Sequence, residues 1–352
     1  MNQRQTKIIT KYGKEVHAMA PIILSVSRAT DVPAFYSEWF FNRLERGYCR
    51  WHNPFNGADT YVSFENVHFI VFWSKNPAPL IPYIPRLQEH GIKCYIQYTL
   101  NDYEDERLEP RVPPVRHRID TFKRFAKIPR VGSVMWRFDP LILTDKIGID
   151  ELLLKIERIG NQLKGYTEKL VFSFADIACY RKVGGNLTSN GINYREWTES
   201  EMLDFARQLS DLNQRNGWNF LLTTCAEKIN LGEYGIAHNR CIDDELIVRI
   251  AWQDIELMKH LGMDIRRSTS DLFGQPTLPE GAFSLDGGRY AVRTRHNRDS
   301  GQRKLCGCIA AKDIGQYNTC PHGCLYCYAN TSPESARQNY LGHNPDAEVI
   351  TI

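Results

Sequence analysis

Polar and apolar positions along this chain follow a repeating order. A short apolar run is followed by a stretch with apolar residues every third or fourth place, and then by a glycine or proline. The runs read as buried strands and the i, i+3, i+4 stretches as helices packed along one face. The first unit is Ile22 to Ser27 and a helix with Phe35, Trp39, Phe40 and Leu44 on one side, opened by Pro33 and ended by Gly47. Val67 to Trp73 is a second strand, ahead of a proline-interrupted helical stretch carrying Leu80, Ile84 and Leu87 and stopped by Gly91. Ile92 to Leu100 is a third, before a helix with Ile119, Phe122 and Phe125. Ser133 to Phe138 is a fourth, before a helix with Leu152, Leu153, Ile156, Ile159 and Leu163. Leu170 to Phe174 is a fifth. A Gly- and Asn-rich excursion over 180–198 separates it from a helix with Met202, Phe205, Leu209 and Leu212 that ends before Gly217. Asn219 to Thr224 is a sixth, followed by one helix over 244–261, and Asp313 to Asn318 is a short last strand.

Alternation of strand and helix predicts a parallel α/β sheet, here a (β/α) TIM-type barrel, complete or partial. The expected division is an N-terminal polar, basic arm over 1–20, barrel units over 21–263, a loop or small lobe over the site at 264–304, and a closing unit with a cysteine loop over 305–352. Such barrels work at the C-terminal ends of their strands. Polar residues follow six strands in turn: Ser27 to Asp31, Ser74 to Asn76, Thr99 to Asp102, Arg137 to Pro140, Ala175-Asp176 and Cys225 to Glu227.

Composition narrows the class. Of 352 residues, 42% are hydrophobic, enough for a sizeable core. A net charge of +3 gives no broad electrostatic footprint for nucleic acid, which is left only a local patch. The longest apolar run, Phe69 to Trp73, is too short to cross a bilayer, and residues 1–21 lack an apolar signal region. A soluble cytoplasmic chain with no membrane partner is expected. In that reducing compartment, ten cysteines argue for metal ligands before disulfides.

Cys320, Cys324 and Cys327 stand as C-x3-C-x2-C, with Gly323 freeing the turn and Tyr326 before the last thiol. Three thiolates on one loop can hold three irons of a 4Fe-4S cubane and leave the fourth open. A zinc knuckle would instead use C-x2-C or C-x4-C pairs and four closed ligands. The spacing, with its aromatic residue, resembles the radical S-adenosylmethionine superfamily. That resemblance implies that the open iron binds S-adenosylmethionine, that one electron splits its sulfonium, and that the resulting 5′-deoxyadenosyl radical abstracts hydrogen from a substrate. It also implies a reductase or a flavodoxin- or ferredoxin-type electron donor. Superfamily members usually carry the loop after the first strand, whereas here it lies near the end of the chain. First and last strands of a barrel are neighbours, so a circular permutation is expected, with Asp313 to Asn318 in the place of the usual first strand. SVSRATD stands where a glycine-rich strand end often receives the methionine amino group.

Longer stretches, from ILSVSRATDVPAFYSEWFFNRLERGY through VFWSKNP, WRFDPLI and TTCAEKINL to the cysteine run, resemble the domain-of-unknown-function family numbered eighteen forty-eight. VFWSKNP and the ERLEP to FDPLI region also resemble spore photoproduct lyase and its relatives. Neither resemblance supplies a substrate.

A second constellation joins the C-x-C pair Cys306 and Cys308 to Cys225 and Cys241, at and beyond the end of the sixth strand. Four such thiols suit an auxiliary iron-sulfur cluster or structural zinc, or else are small core residues and a local turn. For S-adenosylmethionine, Lys75, Arg28, Ser27 and Arg137 are candidates for the methionine carboxylate, Asp139 and Asp176 for the ribose, and Tyr326 for the adenine. A strand-end ion pair, such as Arg137 with Asp139, is the competing reading of each. A radical S-adenosylmethionine enzyme of unknown substrate is therefore expected, against an iron-sulfur electron carrier or sensor, or a zinc-stabilised nucleic-acid-binding protein.

Overall fold

Eight short segments line up as one sheet in the computed structural model, which describes residues 5–54, 56–129, 131–270 and 276–351. They are β1 Ile23–Val26, β2 Phe69–Ser74, β3 Lys93–Thr99, β4 Val131–Leu141, β5 Lys169–Phe174, β6 Leu221–Thr224, β7 Ala237–His238 and β8 Lys312–Asp313. Their order across the sheet is β7-β6-β5-β4-β3-β2-β1-β8. Every neighbouring pair is parallel. Chain order thus runs straight across the sheet, except that the last strand lies outside the first.

Side chains of successive strand residues point to opposite faces, and both faces here are apolar. Leu24, Ile70, Phe72, Ile96, Trp136 and Phe172 share one buried cluster with Phe40 of helix Ser37–Arg46, Phe122 of helix Val115–Ala126, Ile156 of helix Ile149–Leu163 and Phe205 of helix Glu199–Arg215. Their sequence neighbours Ile23, Phe69, Val71, Tyr95 and Met135 join Ile242, Leu246, Ile247, Leu257 and Leu261 in a second cluster. A strand buried on both sides must be apolar throughout, which is why FIVFWS has no polar alternation.

That second cluster corrects the expectation of one outer helix over 244–261. Two helices, Asp244–Ala251 and Ile255–Leu261, fill the face of the sheet opposite the other helices. The break is encoded by Asp254, whose Oδ1 accepts from Leu257 N at 3.0 Å and starts the second helix.

A closed barrel is not found: β7 and β8 are the two edges of the sheet and share no ladder. The segments beside them meet instead, with Ile309 N donating to Ile242 O at 3.1 Å and Cys241 N to Cys308 Sγ at 3.2 Å. The last strand is Lys312–Asp313 alone, shorter than the expected 313–318.

Residues 5–20 make an antiparallel pair, Gln5–Ile9 with Glu15–Met19, in place of a free arm. It extends a small sheet with Asp59–Ser63 and Tyr48–His52. Residues 180–198 contain helix Arg181–Ser189 and a two-residue strand, Tyr194–Arg195, paired with Leu143–Thr144. The lobe after 263 is a three-stranded antiparallel sheet of Met263–Arg267, Arg289–Arg293 and Phe283–Leu285. It is anchored on the helices of 244–261 through Arg293 to Asp244 (2.8 Å) and Thr294 N to Gly262 O (2.8 Å), so it is its return segment, 303–308, that approaches the cysteines. Among the described residues no helix is long and apolar enough to cross a membrane.

Candidate functional site

Strand β8 delivers the cysteine loop to the C-terminal ends of β1, β2 and β3. Asp313 fixes its entry, accepting from Ser25 Oγ at 2.8 Å and Arg28 N at 2.9 Å. A Cβ on Gly315 would stand 1.7 Å from Ser27 Oγ, so only glycine lets the loop cross the end of β1 this closely. Beyond it, Gly323 adopts φ +71°, Leu325 N donates to Leu108 O (2.9 Å), and Tyr36 OH donates to Thr319 O (2.5 Å). The loop is held by backbone contacts on both sides.

Cys320, Cys324 and Cys327 are partly exposed residues of one loop, with Cys327 N donating to Cys324 O at 3.1 Å. Burial of its thiol, with Asp31 beside it, pushes Cys320 up to about 12. Burial raises Cys324 well above the ordinary thiol range, against the pull of Lys75. Metal binding here must displace protons, as it does at thiolate sites generally. Among the described residues no group of three or more His, Cys, Asp or Glu is arranged to hold a single ion. A cubane attaches each thiolate to its own iron, a wider arrangement than one ion requires.

Around the loop runs a buried polar network. Lys75 Nζ donates to Glu109 Oε1 (2.6 Å) and to Tyr326 OH (2.8 Å), and Asn101 Nδ2 reaches the same two oxygens at 3.1 Å. Burial opposes the Glu109 carboxylate, but Lys75 and Arg118 outweigh it and hold the group at about 2. Burial likewise opposes the Lys75 ammonium, and Glu109 with the Cys324 sulfur keeps its pKa above the ordinary lysine value. Asp31 accepts from Ser74 Oγ (2.7 Å) and Lys75 N (2.8 Å), and lies 2.8 Å from His322 Nε2. His322 Nδ1 is buried with no hydrogen-bond partner, as is Asn330 Oδ1. Three thiols beside unused buried polar atoms fit a cluster better than a filled core.

The four remaining candidate thiols also meet. Cys225 Sγ lies 3.6 Å from Cys241 Sγ, and Cys308 Sγ accepts from Cys241 N (3.2 Å) and Ile242 N (3.4 Å). Arg137 Nη1 and Asn239 Nδ2 donate to Cys241 Sγ at 3.1 and 3.2 Å. The Cys225 and Cys308 thiols, with the charges of Arg137 and Arg28, pull Cys241 well below the ordinary thiol range, and the Cys308 thiol draws Cys306 down to about 6. Gln97 Nε2 and Tyr95 OH, from the middle of β3, bond Cys241 O at 2.8 and 2.6 Å. The set therefore sits over the sheet face opposite the main helix layer.

The proposed cofactor contacts divide three ways. Lys75 and Tyr326 join the loop, although Lys75 is already paired with Glu109. Arg28, Arg137 and Asp139 belong with the four-thiol set: both guanidiniums lie over the Trp73 ring, at 5.4 and 5.2 Å, and Arg137 pairs with Asp139. Ser27 and Asp176 are occupied as turn caps, Ser27 Oγ accepting from Ala29 N at 3.0 Å and exposed Asp176 from Cys179 N at 3.3 Å. Sequence reasoning passed over Glu109, His322 and Trp73. A cavity of about 560 Å³, lined by residues including Arg50, His52, Asp59, Gln316 and Tyr317, contains no cysteine of either set.

A mixed α/β protein built on an eight-stranded parallel sheet, with one cysteine set at its strand ends and a second over one face, is the class that fold and site define. Within that class the chain belongs to the family described as Domain of unknown function (DUF1848), whose model matches residues 23–329. The match spans all eight strands and every cysteine of both sets. No curated protein matches the chain.

Proposed function

We propose that the protein is a radical S-adenosylmethionine enzyme whose 4Fe-4S cluster is held by Cys320, Cys324 and Cys327. The single observation that carries the reading is a three-thiol loop that β8 docks at the C-terminal ends of the neighbouring parallel strands. A cluster held by these three thiolates would supply one electron for reductive cleavage of the sulfonium of S-adenosylmethionine, giving methionine and a 5′-deoxyadenosyl radical able to take hydrogen from a substrate. Lys75, Glu109 and Asn101 hold Tyr326, and with it the last turn of the loop, against the ends of β2 and β3. Asp31 and His322 fix the turn between Cys320 and Cys324. The sheet order supports a permuted partial barrel, since moving β8 ahead of β1 makes strand order and chain order coincide. A reductase, flavodoxin or ferredoxin would supply the electron.

Anaerobic protein, given iron and sulfide, reduced with dithionite and mixed with S-adenosylmethionine, is expected to release 5′-deoxyadenosine and methionine, and Cys324→Ala to abolish both. A reduced cluster that leaves S-adenosylmethionine intact would make the protein an electron carrier or sensor. Colourless protein with stoichiometric zinc would favour the nucleic-acid-binding alternative.

A further inference from the structure

We infer that Cys225, Cys241, Cys306 and Cys308 ligate a second iron-sulfur cluster, closed by four protein thiolates and acting as a one-electron centre beneath the first. The inference does not require S-adenosylmethionine chemistry. It stands on three segments distant in sequence that the fold brings to one place: the end of β6, the residues after β7 and those before β8. Cys225 Sγ lies 3.6 Å from Cys241 Sγ, Cys241 N donates to Cys308 Sγ at 3.2 Å, and Cys306 stands two residues before Cys308.

The surroundings are those of an anion. Arg137 Nη1 bonds the Cys241 sulfur at 3.1 Å, and the Arg28 guanidinium lies over the same Trp73 ring as that of Arg137. Two guanidiniums so placed match a cluster whose four thiolates leave it net negative. Asn239 donates to Cys241 Sγ at 3.2 Å while its own Oδ1 is buried without a partner, and Trp73 Nε1, between Arg28 and Arg137, is a buried donor with none. Two backbone N–H groups also donate to Cys308 Sγ, and hydrogen bonds to sulfur are a principal means of setting a cluster's potential.

Structural zinc is the other ligand of four cysteines, and its usual task is to hold segments that lack a core of their own. That task is already met here, because Cys241 and Cys308 are embedded in the apolar cluster of Ile23, Phe69, Val71, Ile242, Leu246 and Ile309. With all four ligands from protein, a cluster has no open corner for substrate, and what it exchanges is one electron. A path toward the first set exists: Tyr328, next to Cys327, donates to Arg28 O at 2.9 Å, and the Arg28 guanidinium lies over Trp73. On the outer side, Cys306 follows the exposed residues Lys304 and Leu305, where a donor protein of the flavodoxin or ferredoxin class could deliver the electron that the site passes on.

The test is the full chain with Cys320, Cys324 and Cys327 all changed to Ala, purified without oxygen and supplied with iron and sulfide. It is expected to retain roughly half the wild-type iron, with an absorbance band that bleaches on dithionite and a paramagnetic signal in the reduced state. Adding Cys225→Ala and Cys241→Ala should remove all of it. A triple variant with wild-type circular dichroism that takes up no iron, or one zinc per chain instead, overturns the inference. Since pairs of substitutions can disturb packing, Cys306→Ser alone, on the partly exposed segment, serves as the mild variant: it should shift or broaden the retained signal, and an unchanged signal counts against ligation. The outcomes separate the two readings. Wild type that cleaves S-adenosylmethionine while the triple variant is iron-free keeps the first and loses the second, and a triple variant that binds iron while wild type cleaves nothing does the reverse.

Discussion

Glu109 illustrates how one side chain can hold a site together. Its carboxylate is buried, takes bonds from Lys75 and Tyr326, and lies 3.5 Å from Arg118 Nη1. Removing one partner of a buried ion pair leaves the other charge unpaired, at a cost of roughly 3–5 kcal/mol. Glu109→Gln should therefore destabilise the chain by about 3 kcal/mol in urea titration, because two cations lose their counter-charge at once. Asn101→Ala removes no charge, only hydrogen bonds, one of them to the Glu109 carboxylate, and should cost about 1.5 kcal/mol. Equal losses from the two changes would mean that the charge is not what matters. The cysteines were legible because their spacing is local: three thiols within eight residues meet wherever the loop goes. Glu109 was not, because its partners Lys75 and Tyr326 are 34 and 217 residues away and only the sheet brings them together. Arg28 and Arg137 were read as cations for the methionine carboxylate, and in the fold both lie over the Trp73 ring beside the four-thiol set. Which of the two sulfur sets they face depends on strand order, which no spacing encodes.

Among the elements, β8 is the least secure and the most consequential, since two residues carry the cysteine loop. Lys312 is buried there over the Trp51 ring (3.1 Å) and faces Asp313 and Cys49. Burial lowers its pKa from 10.5 to about 8, against the smaller opposing pull of Asp313. The sign follows from proton counting. Below pH 8 both folded and unfolded chains hold the proton; between about 8 and 10.5 the unfolded chain holds more of it, so this residue's contribution to stability rises with pH. The unfolding free energy of wild type minus that of Lys312→Met should climb by roughly 2–3 kcal/mol between pH 7.5 and 10.5. A difference that stays flat would place the ammonium in water. Strands β1 to β6 were readable because burial on both faces makes each an apolar run. The antiparallel pair of 5–19 was not, since alternate residues are exposed and the segment is polar; β7, two exposed residues, has no apolar signal at all. The helix break before Asp254 was missed because both halves keep the same apolar spacing, and only the Asp254 cap marks the interruption.

At the scale of the whole molecule, connectivity and arrangement come apart. The sheet reads β7 through β1 and then β8, so the strand bearing the cysteine loop is last in the chain but first in space. The two ends of the described chain converge: Lys11 N donates to Tyr48 OH at 2.7 Å, and Tyr48 OH donates to Glu348 Oε1 at 2.5 Å. Residues 300 and 301 are exposed, in the return from the small lobe. Joining the end of the chain to its start through a flexible linker, and opening it between Ser300 and Gly301, would put both the C-x-C pair and the cysteine loop ahead of β1 without moving a strand. Loop-closure entropy grows only as the logarithm of loop length, so the rearrangement alters stability by about 1–2 kcal/mol. A shift of that size moves the melting midpoint by roughly 1–3 °C in a chain this long. The permuted protein should therefore fold, melt within that interval of the original and take up the same iron per chain when reconstituted. If it instead collapses to a form without cooperative melting while the original order folds normally, the position of β8 depends on being made last, and the arrangement of strands alone does not account for the site.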